Sequence, residues 1–325
     1  MLRTKLTFDT IHGAKPSKLP VIAMLLAVCF ATASMAQQVG QKTFSSPDEA
    51  GKALVAAMQS NDEKAMLDIL GRDGKQIVSS GDDAEDAESR HNFVEKYQEM
   101  HRLVKEPDGS TVLYIGAKNW PTPIPLMSKG NMWYFDTDAG KQEILYRRVG
   151  RNEMSAIKVC EELAAAQKEY SAQHSEYAQK IFSDEGQHNG LYWKASGEPQ
   201  SPIGPLVAAA VTESYAASRD SVATPYRGYY FHILTRQGKN AAGGAKSYLV
   251  NGKMTGGFAF VAYPAEYRSS GVMTFVVGED GTVYERDLGK KTDGAAKAMK
   301  EYNPNSSWQK AVEQQVETAG EQKSK

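Results

Sequence analysis

The chain contains very little cysteine. Only Cys29 and Cys160 occur among its 325 residues. Cys29 lies in a predicted leader segment, so the processed protein would keep a single cysteine, which cannot form an intramolecular disulfide. The fold must therefore depend on a hydrophobic core, and a chain of this length can bury enough apolar surface to form one.

An excess of charge of either sign is also absent. The formal net charge is -1, and no basic stripe interleaved with aromatic residues occurs, which argues against a nucleic-acid-binding protein. The common catalytic motifs are missing as well: nucleophile elbow, paired-histidine zinc helix, phosphate-binding loop and dinucleotide fingerprint. The sequence therefore predicts no metal and no cofactor, and it leans away from an enzyme.

Long hydrophobic runs are missing except for one near the N-terminus. A stretch with four Lys or Arg residues precedes the apolar segment Leu19–Thr32, and Ser34 and Ala36 supply small residues for a cleavage site. This pattern predicts a secretory signal peptide over residues 1–36. No other segment reaches the ~20 apolar residues of a spanning helix. We therefore expect a soluble processed protein with no integral membrane span, either periplasmic or secreted.

Residues 45–150 predict a small α+β domain. Ser46-Pro47-Asp48-Glu49 is typical of a helix start, and a later helix is predicted over Ser89–Val104. Strands are then predicted at Val112–Gly116, Trp133–Asp136 and Glu143–Arg148. The last two would form a hairpin about a turn at Thr137–Gly140. Helices followed by a curved antiparallel sheet are similar to the cone-shaped fold of nuclear-transport-factor-like proteins, an analogy that licenses no function.

Residues 151–290 predict one long helix packed on an antiparallel meander sheet. Asn152 is the predicted cap of a helix that continues to about His174. Tyr226–Gly289 then alternates β-branched and aromatic runs with Gly, Pro and Asn-Gly turns. This arrangement resembles the globular half of type IV pilins and pseudopilins, although the hydrophobic first half of a pilin helix is absent. Residues 291–325 are predicted to form a partly disordered tail.

Several short segments together resemble one bacterial family. The main segment, within Gly257–Gly289, reads GFAFVAYPAEYRSSGVMTFVV and then GTVYERDLG. Shorter ones are WPTPIPL at Trp120–Leu126, WYFD at Trp133–Asp136, RVGRNE at Arg148–Glu153, GLYW at Gly190–Trp193 and YNPNSSW at Tyr302–Trp308. The combination is similar to the exported bacterial proteins grouped as domain of unknown function 2950. The resemblance covers about residues 45–310 and implies export, but it brings no activity, substrate or catalytic residue.

Aromatic, proline-rich and basic residues are the best candidates for binding. Proline beside tryptophan can present a stiff contact surface, a basic glycine-rich loop over Arg236–Lys246 can offer amides to an anion, and tyrosine combines area with a polar tip. The candidate binding residues are Trp120, Pro123, Pro125, Arg236, Tyr263 and Tyr267. Each has a plainer alternative: the proline segment is then only a stiff loop that crosses between strands, the basic loop a mobile connector, and the tyrosines core residues.

Cysteine and histidine invite catalytic hypotheses that the patterns do not favour. Cys160 lies on the apolar face of the predicted long helix, where a free cysteine is usually a core residue. His232 alternates with Phe231 and Ile233, so it is predicted on the solvated or second face of its strand.

The sequence therefore predicts an exported α+β protein of a Gram-negative envelope, acting as a non-catalytic binding or assembly factor. Its partner would be an envelope protein or a glycan. The alternative is a hydrolase of cell-wall or polysaccharide material that uses paired carboxylates, for example Glu266 with Asp280 or Glu285.

Overall fold

The computed structural model of the chain describes residues 38–79, 83–194, 200–210 and 225–311. The predicted signal peptide over 1–36 and the part of the predicted tail beyond residue 311 lie outside these ranges. The sequence also predicts a short helix over Leu206–Tyr215, and its second half lies outside them too.

The described residues form an α+β fold, as predicted. The helices are α1 (Pro47–Gln59), α2 (Glu63–Leu70), α3 (Lys75–Val78), α4 (Asp83–Glu99), α5 (Thr137–His174), α6 (Pro205–Ala210) and α7 (Thr292–Ala298). The strands are β1 (His101–Lys105), β2 (Thr111–Ile115), β3 (Trp120–Pro121), β4 (Leu126–Lys129), β5 (Met132–Phe135), β6 (Tyr229–Leu234), β7 (Arg236–Gln237), β8 (Lys246–Ser247), β9 (Leu249–Val250), β10 (Lys253–Met254), β11 (Ala259–Pro264), β12 (Met273–Gly278), β13 (Val283–Asp287), β14 (Glu301–Tyr302) and β15 (Gln309–Lys310).

The N-terminal half packs helices on a small antiparallel sheet. Its helix start is confirmed, because the Ser46 hydroxyl accepts a hydrogen bond from the Glu49 amide at 3.1 Å and Pro47 occupies the first turn. Helices α1 and α2 bury Leu54 and Ile69 against β4 and β5. The sheet order is β1-β2-β4-β5, with β3 added beside β2.

The predicted helix over Ser89–Val104 extends too far. Helix α4 ends at Glu99, and the next residues form β1, which pairs antiparallel with β2. The connection between β1 and β2 is a tight turn in which Asp108 accepts a hydrogen bond from the Ser110 amide at 2.9 Å. A Pro-Asp-Gly turn favours a hairpin over continuation of the helix.

The predicted hairpin around Thr137–Gly140 is wrong. Helix α5 runs unbroken for 38 residues from Thr137 and includes the predicted strand Glu143–Arg148. Asp136 is its N-cap, since the side chain accepts from the Ala139 amide at 3.0 Å. Helical i,i+4 pairing also supports it, with Arg147 and Glu143 joined at 2.7 Å. The predicted boundary at residue 150 falls inside this helix, and the division into two domains stays a prediction.

The C-terminal half places α5 on an antiparallel sheet, as predicted. The strand order is β15-β13-β12-β11-β6. One face, with Phe231 and Phe275, packs in the core together with Leu163 and Cys160 of α5. Cys160 is fully buried, and burial raises the pKa of its thiol. Its assignment to the core is therefore confirmed. Helix α7 contacts β11 of the same sheet.

His232 lies on the second face of the sheet, as its alternation with Phe231 predicts. Its side chain is buried, and Nε2 donates a hydrogen bond to the Met299 carbonyl oxygen at 3.0 Å, just after α7. Burial lowers the pKa of this imidazole, and the nearby Lys300 lowers it further, while the bond to Met299 opposes the shift. The folded protein therefore favours neutral His232.

Stability is therefore expected to depend on His232 below neutral pH. The pKa of His232 in the folded protein is lower than the unfolded value of about 6.5. The stabilisation of the folded state by neutral His232 is therefore complete above about pH 6.5 and is lost as the pH falls toward the folded pKa. His232→Gln keeps a donor without titrating, and we expect a smaller loss of unfolding free energy between pH 7.5 and 5.5. Denaturant titrations at both pH values measure this difference. His91→Gln, at an exposed histidine, is the control, and equal pH dependence in all three proteins would contradict the assignment.

Within the described residues, every helix is too short or too polar to cross a bilayer.

Candidate binding pocket

A pocket of about 350 Å³ lies where β12 turns into β13. We call it the tyrosine pocket, and its principal lining residues are Gln237, Tyr248, Glu279, Asp280, Tyr284 and Tyr302. Ligand sites commonly combine aromatic walls with a few polar groups in this way. Two other cavities are a groove between α1 and α2, half of whose lining residues are alanine, and a smaller cleft of about 180 Å³ beside the end of α5, lined by Glu169, His174 and Trp193 among others.

The loop between β7 and β8 forms one wall, and the side chain of Gln237 holds it from inside. Its Nε2 donates to the carbonyl oxygens of Ala242 at 2.8 Å and Gly244 at 2.6 Å, while its Oε1 accepts from the Tyr248 hydroxyl at 3.2 Å. One buried amide therefore fixes both the loop and a pocket ring.

The same loop is also bonded to β14 and to the residue that follows it. The Gly238 amide donates to the Tyr302 carbonyl at 2.9 Å, and the Asn240 amide donates to Asn303 Oδ1 at 2.9 Å. Gly238 allows this close approach, because a Cβ there would collide with the side chains of Glu301 and Asn303. This bonding argues against the interpretation of Arg236–Lys246 as a mobile connector.

Two adjacent carboxylates, Glu279 and Asp280, also line the pocket. Glu279 Oε1 accepts from the Tyr177 hydroxyl at 2.9 Å, and Asp280 Oδ1 accepts from the Thr282 amide at 3.0 Å. Among the described residues, no donor bonds the second oxygen of either group. Each carboxylate is therefore oriented by the protein and keeps acceptor capacity for a ligand.

Burial and negative charge act together on the tyrosines of the pocket. Burial raises the pKa of Tyr248, and the charges of Glu279 and Asp280 raise it further. Burial and Asp280 raise the pKa of Tyr302 in the same way. Both hydroxyl groups therefore remain protonated near neutral pH.

Of the two basic residues that end the loop, Lys246 lines the pocket and Arg236 does not, and the anion site stays a prediction. The Arg236 side chain is 59% exposed, and its Nε lies 3.5 Å from Glu301 Oε2. Lys246 is the basic residue of the lining, and its Nζ lies 5.9 Å from the centre of the Tyr248 ring. The two pocket carboxylates also oppose an anion at this position.

Trp120, Pro123 and Pro125 lie in the N-terminal half, apart from the pocket. Trp120 is 42% exposed, with the Arg147 guanidinium 5.0 Å from its ring centre. Pro123 and Pro125 are half-buried, and the Pro125 carbonyl accepts from the Asp136 amide at 2.8 Å, next to the start of α5. These contacts favour the stiff-crossing interpretation for the prolines and leave Trp120 as an exposed aromatic.

Tyr263 and Tyr267 also lie outside the pocket. Tyr263 is fully buried in β11, so its prediction as a surface contact is wrong. Tyr267 is half-buried, and its hydroxyl donates to Asp287 Oδ2 at 3.0 Å. The structure therefore does not bring the six predicted binding residues together.

The predicted pairing of Glu266 with Asp280 does not form either. Glu266 follows the end of β11 that pairs with the start of β6, whereas Asp280 lies beyond the opposite end of the sheet, where Ala259 faces Gly278. Six residues of extended strand, about 20 Å, separate these two ends. Glu266 and Asp280 therefore cannot act on one bond.

Glu285 has a different neighbour from the one predicted. Burial raises the pKa of its carboxyl group, and the charge of Glu153 raises it further. Glu153, on α5, accepts from the amides of Val272 at 2.8 Å and Met273 at 3.0 Å. This pair therefore lies where the helix is bonded to the sheet, and Glu153 has a structural role there.

One family model matches most of the chain. The model described as "Protein of unknown function (DUF2950)" matches residues 41–311. The chain belongs to this family. No curated protein and no solved structure matches it, so the likenesses to cone-shaped and pilin folds stay predictions.

The pocket of this DUF2950 member includes residues from two of the segments that resemble the family. Tyr302 and Pro304 belong to YNPNSSW, and Tyr284 belongs to GTVYERDLG. Gln237 gave no signal, because a glutamine in a short strand resembles any polar surface residue. Within the described residues, no cluster of three His, Cys, Asp or Glu side chains could hold a metal ion.

Proposed function

We propose that this protein is an exported factor of the bacterial envelope that binds a glycan in the tyrosine pocket and leaves its covalent bonds intact. The supporting observation is the half-buried ring of Tyr284 beside the oriented carboxylates of Glu279 and Asp280, in a pocket of about 350 Å³. The buried rings of Tyr248 and Tyr302 complete the lining behind it. Tyrosine rings can stack on the apolar faces of sugar rings, and carboxylate oxygens accept hydrogen bonds from hydroxyl groups.

Because its walls are fixed, the pocket can bind a ligand without rearranging. Gln237 and Asn303 hold the loop in place, so little conformational entropy remains to be lost when a ligand enters. Export rests on the predicted signal peptide and on the resemblance to exported proteins. A periplasmic or secreted location would bring the pocket into contact with envelope glycans.

Tyr284→Ala is expected to weaken binding of a tetramer of N-acetylglucosamine, a neutral cell-wall glycan mimic, by about tenfold. The reason is the loss of an aromatic wall. Isothermal titration calorimetry measures the affinity. Tyr267→Ala is the matched control, because Tyr267 is also half-buried beside a carboxylate but lies outside the pocket, and it should bind like the unmodified protein.

Two results would count against this proposal. Equal binding by the unmodified protein and the Tyr284→Ala variant would place the site elsewhere, and absence of binding would reject this glycan class. Chromatography of the recovered tetramer separates binding from hydrolysis: an intact tetramer supports the proposal, and shorter products would favour the hydrolase alternative.

A further inference from the structure

The arrangement of charge in the tyrosine pocket points to a narrower class of ligand. Building on the proposed function, we infer that the pocket prefers a glycan with a free, protonated amino group over its N-acetylated counterpart. The inference concerns the ligand's charge, whereas the proposed function concerns only glycan binding.

The first support is the balance of charged side chains. Two carboxylates, Glu279 and Asp280, line the pocket together with one ammonium group, Lys246. The nearby Arg236 adds little positive charge, because it is exposed and lies beside Glu301. A cationic group would therefore enter a region of net negative charge, where attraction between opposite charges is stronger than in bulk water.

The second support is the free acceptor capacity of the carboxylates. Tyr177 and Thr282 each bond one oxygen of Glu279 and Asp280, respectively, and thereby orient the groups. An ammonium group has three donors and no acceptor, so it suits the remaining oxygens. Charge-assisted hydrogen bonds of this kind are about twice as strong as neutral ones.

The third support is the aromatic lining. Cations are attracted to the faces of tyrosine rings, and the Lys246 ammonium already lies 5.9 Å from the centre of the Tyr248 ring. An N-acetyl group is neutral, so it gains no such attraction, and its single amide N–H can donate only one uncharged hydrogen bond to a carboxylate. The same pocket therefore distinguishes the two forms of one sugar.

The test compares tetramers of glucosamine and N-acetylglucosamine, titrated by calorimetry at low salt, slightly below neutral pH. We expect the glucosamine tetramer to bind about tenfold more tightly, and added salt to reduce this advantage. The double variant Glu279→Gln/Asp280→Asn should abolish the advantage, because it weakens binding of the glucosamine tetramer more than binding of the acetylated tetramer. Both substitutions keep the acceptor oxygens that Tyr177 and Thr282 use.

The control is Asp287→Asn, which removes a carboxylate that also accepts from a tyrosine hydroxyl and a backbone amide but lies outside the pocket. It should leave both affinities unchanged. An acetylated tetramer that binds as tightly as the free amine would overturn this inference and leave the proposed function standing. A preference that persists in the double variant would also overturn it. If neither tetramer binds, both proposals fail.

Discussion

Gly271→Ala is expected to lower the free energy of unfolding by about 3 kcal/mol, at the upper end for an overpacked core. A Cβ at position 271 would collide with the Tyr229 hydroxyl and lie 2.6 Å from two ring carbons. The ring cannot easily move away, because it is fully buried and its hydroxyl donates to the Met273 carbonyl at 2.9 Å. Thermal and urea unfolding of the purified protein measure the effect.

The matched control is Gly294→Ala, in helix α7. Apart from the neighbouring residues and the backbone of its own helix, no atom lies within 4 Å of the Cβ that this substitution adds, and alanine is favoured over glycine in helices by about 1 kcal/mol. We expect this variant to be as stable as the unmodified protein or more so. Tyr229→Phe in the Gly271→Ala background should recover part of the loss, because it removes the nearest atom. A Gly271→Ala variant of normal stability would show that the ring is not fixed.

Gln167→Leu is expected to cost about 3 kcal/mol, because it leaves two buried backbone groups without partners. Gln167 lies in α5 and is fully buried. Its Nε2 donates to the Ala178 carbonyl oxygen at 2.9 Å, and its Oε1 accepts from the Ala178 amide at 2.8 Å. The side chain thus replaces a strand partner for the segment after the helix. Leucine has a similar volume but bonds neither group.

Gln179→Leu provides the comparison for this loss. Gln179 is exposed and makes one hydrogen bond, to the Gly252 carbonyl at 3.0 Å, so we expect a change below about 0.5 kcal/mol. Urea unfolding midpoints of the two variants should therefore differ clearly. Similar midpoints would indicate that water can reach the backbone of Ala178 and satisfy it.

Helices, strands and turns that depend on a few neighbouring residues could be predicted from local sequence patterns. The Asn251-Gly252 hairpin is confirmed, with both residues at positive φ, 52° and 79°. The start of α1 and the antiparallel strands β11 to β13 are confirmed for the same reason. Turn and cap chemistry acts over a few residues, so the sequence displays it directly.

The first turns of α5 were missed because two local interpretations competed. Asp136 and Gly140 fit a hairpin turn, but Asp136 also fits an N-cap, and the cap is what the structure shows. A neighbour distant in sequence contributes to the outcome: Ile124 packs so closely that a Cβ at position 140 would lie only 2.7 Å from its Cγ1. No pattern within 137–150 contains that contact.

The pocket could not be predicted because its parts are far apart in the chain. Gln237, Glu279 and Tyr302 come from three separate segments, and their proximity depends on strand register. Trp120, which the sequence favoured as a contact residue, is exposed. Exposure alone, however, does not place a side chain in a cavity. Tyr263 shows the opposite error, since an aromatic in a strand can equally be core.

Helix α5 has a practical consequence for dividing this protein. Its 38 residues span about 57 Å at the usual rise and reach the C-terminal core from the N-terminal sheet as one rod. A cut at residue 150 would therefore divide the helix into two fragments, each with a frayed new end and unpaired backbone groups. Fragments for calorimetry or crystallisation are better separated just before Asp136, so that the whole rod stays with the larger piece.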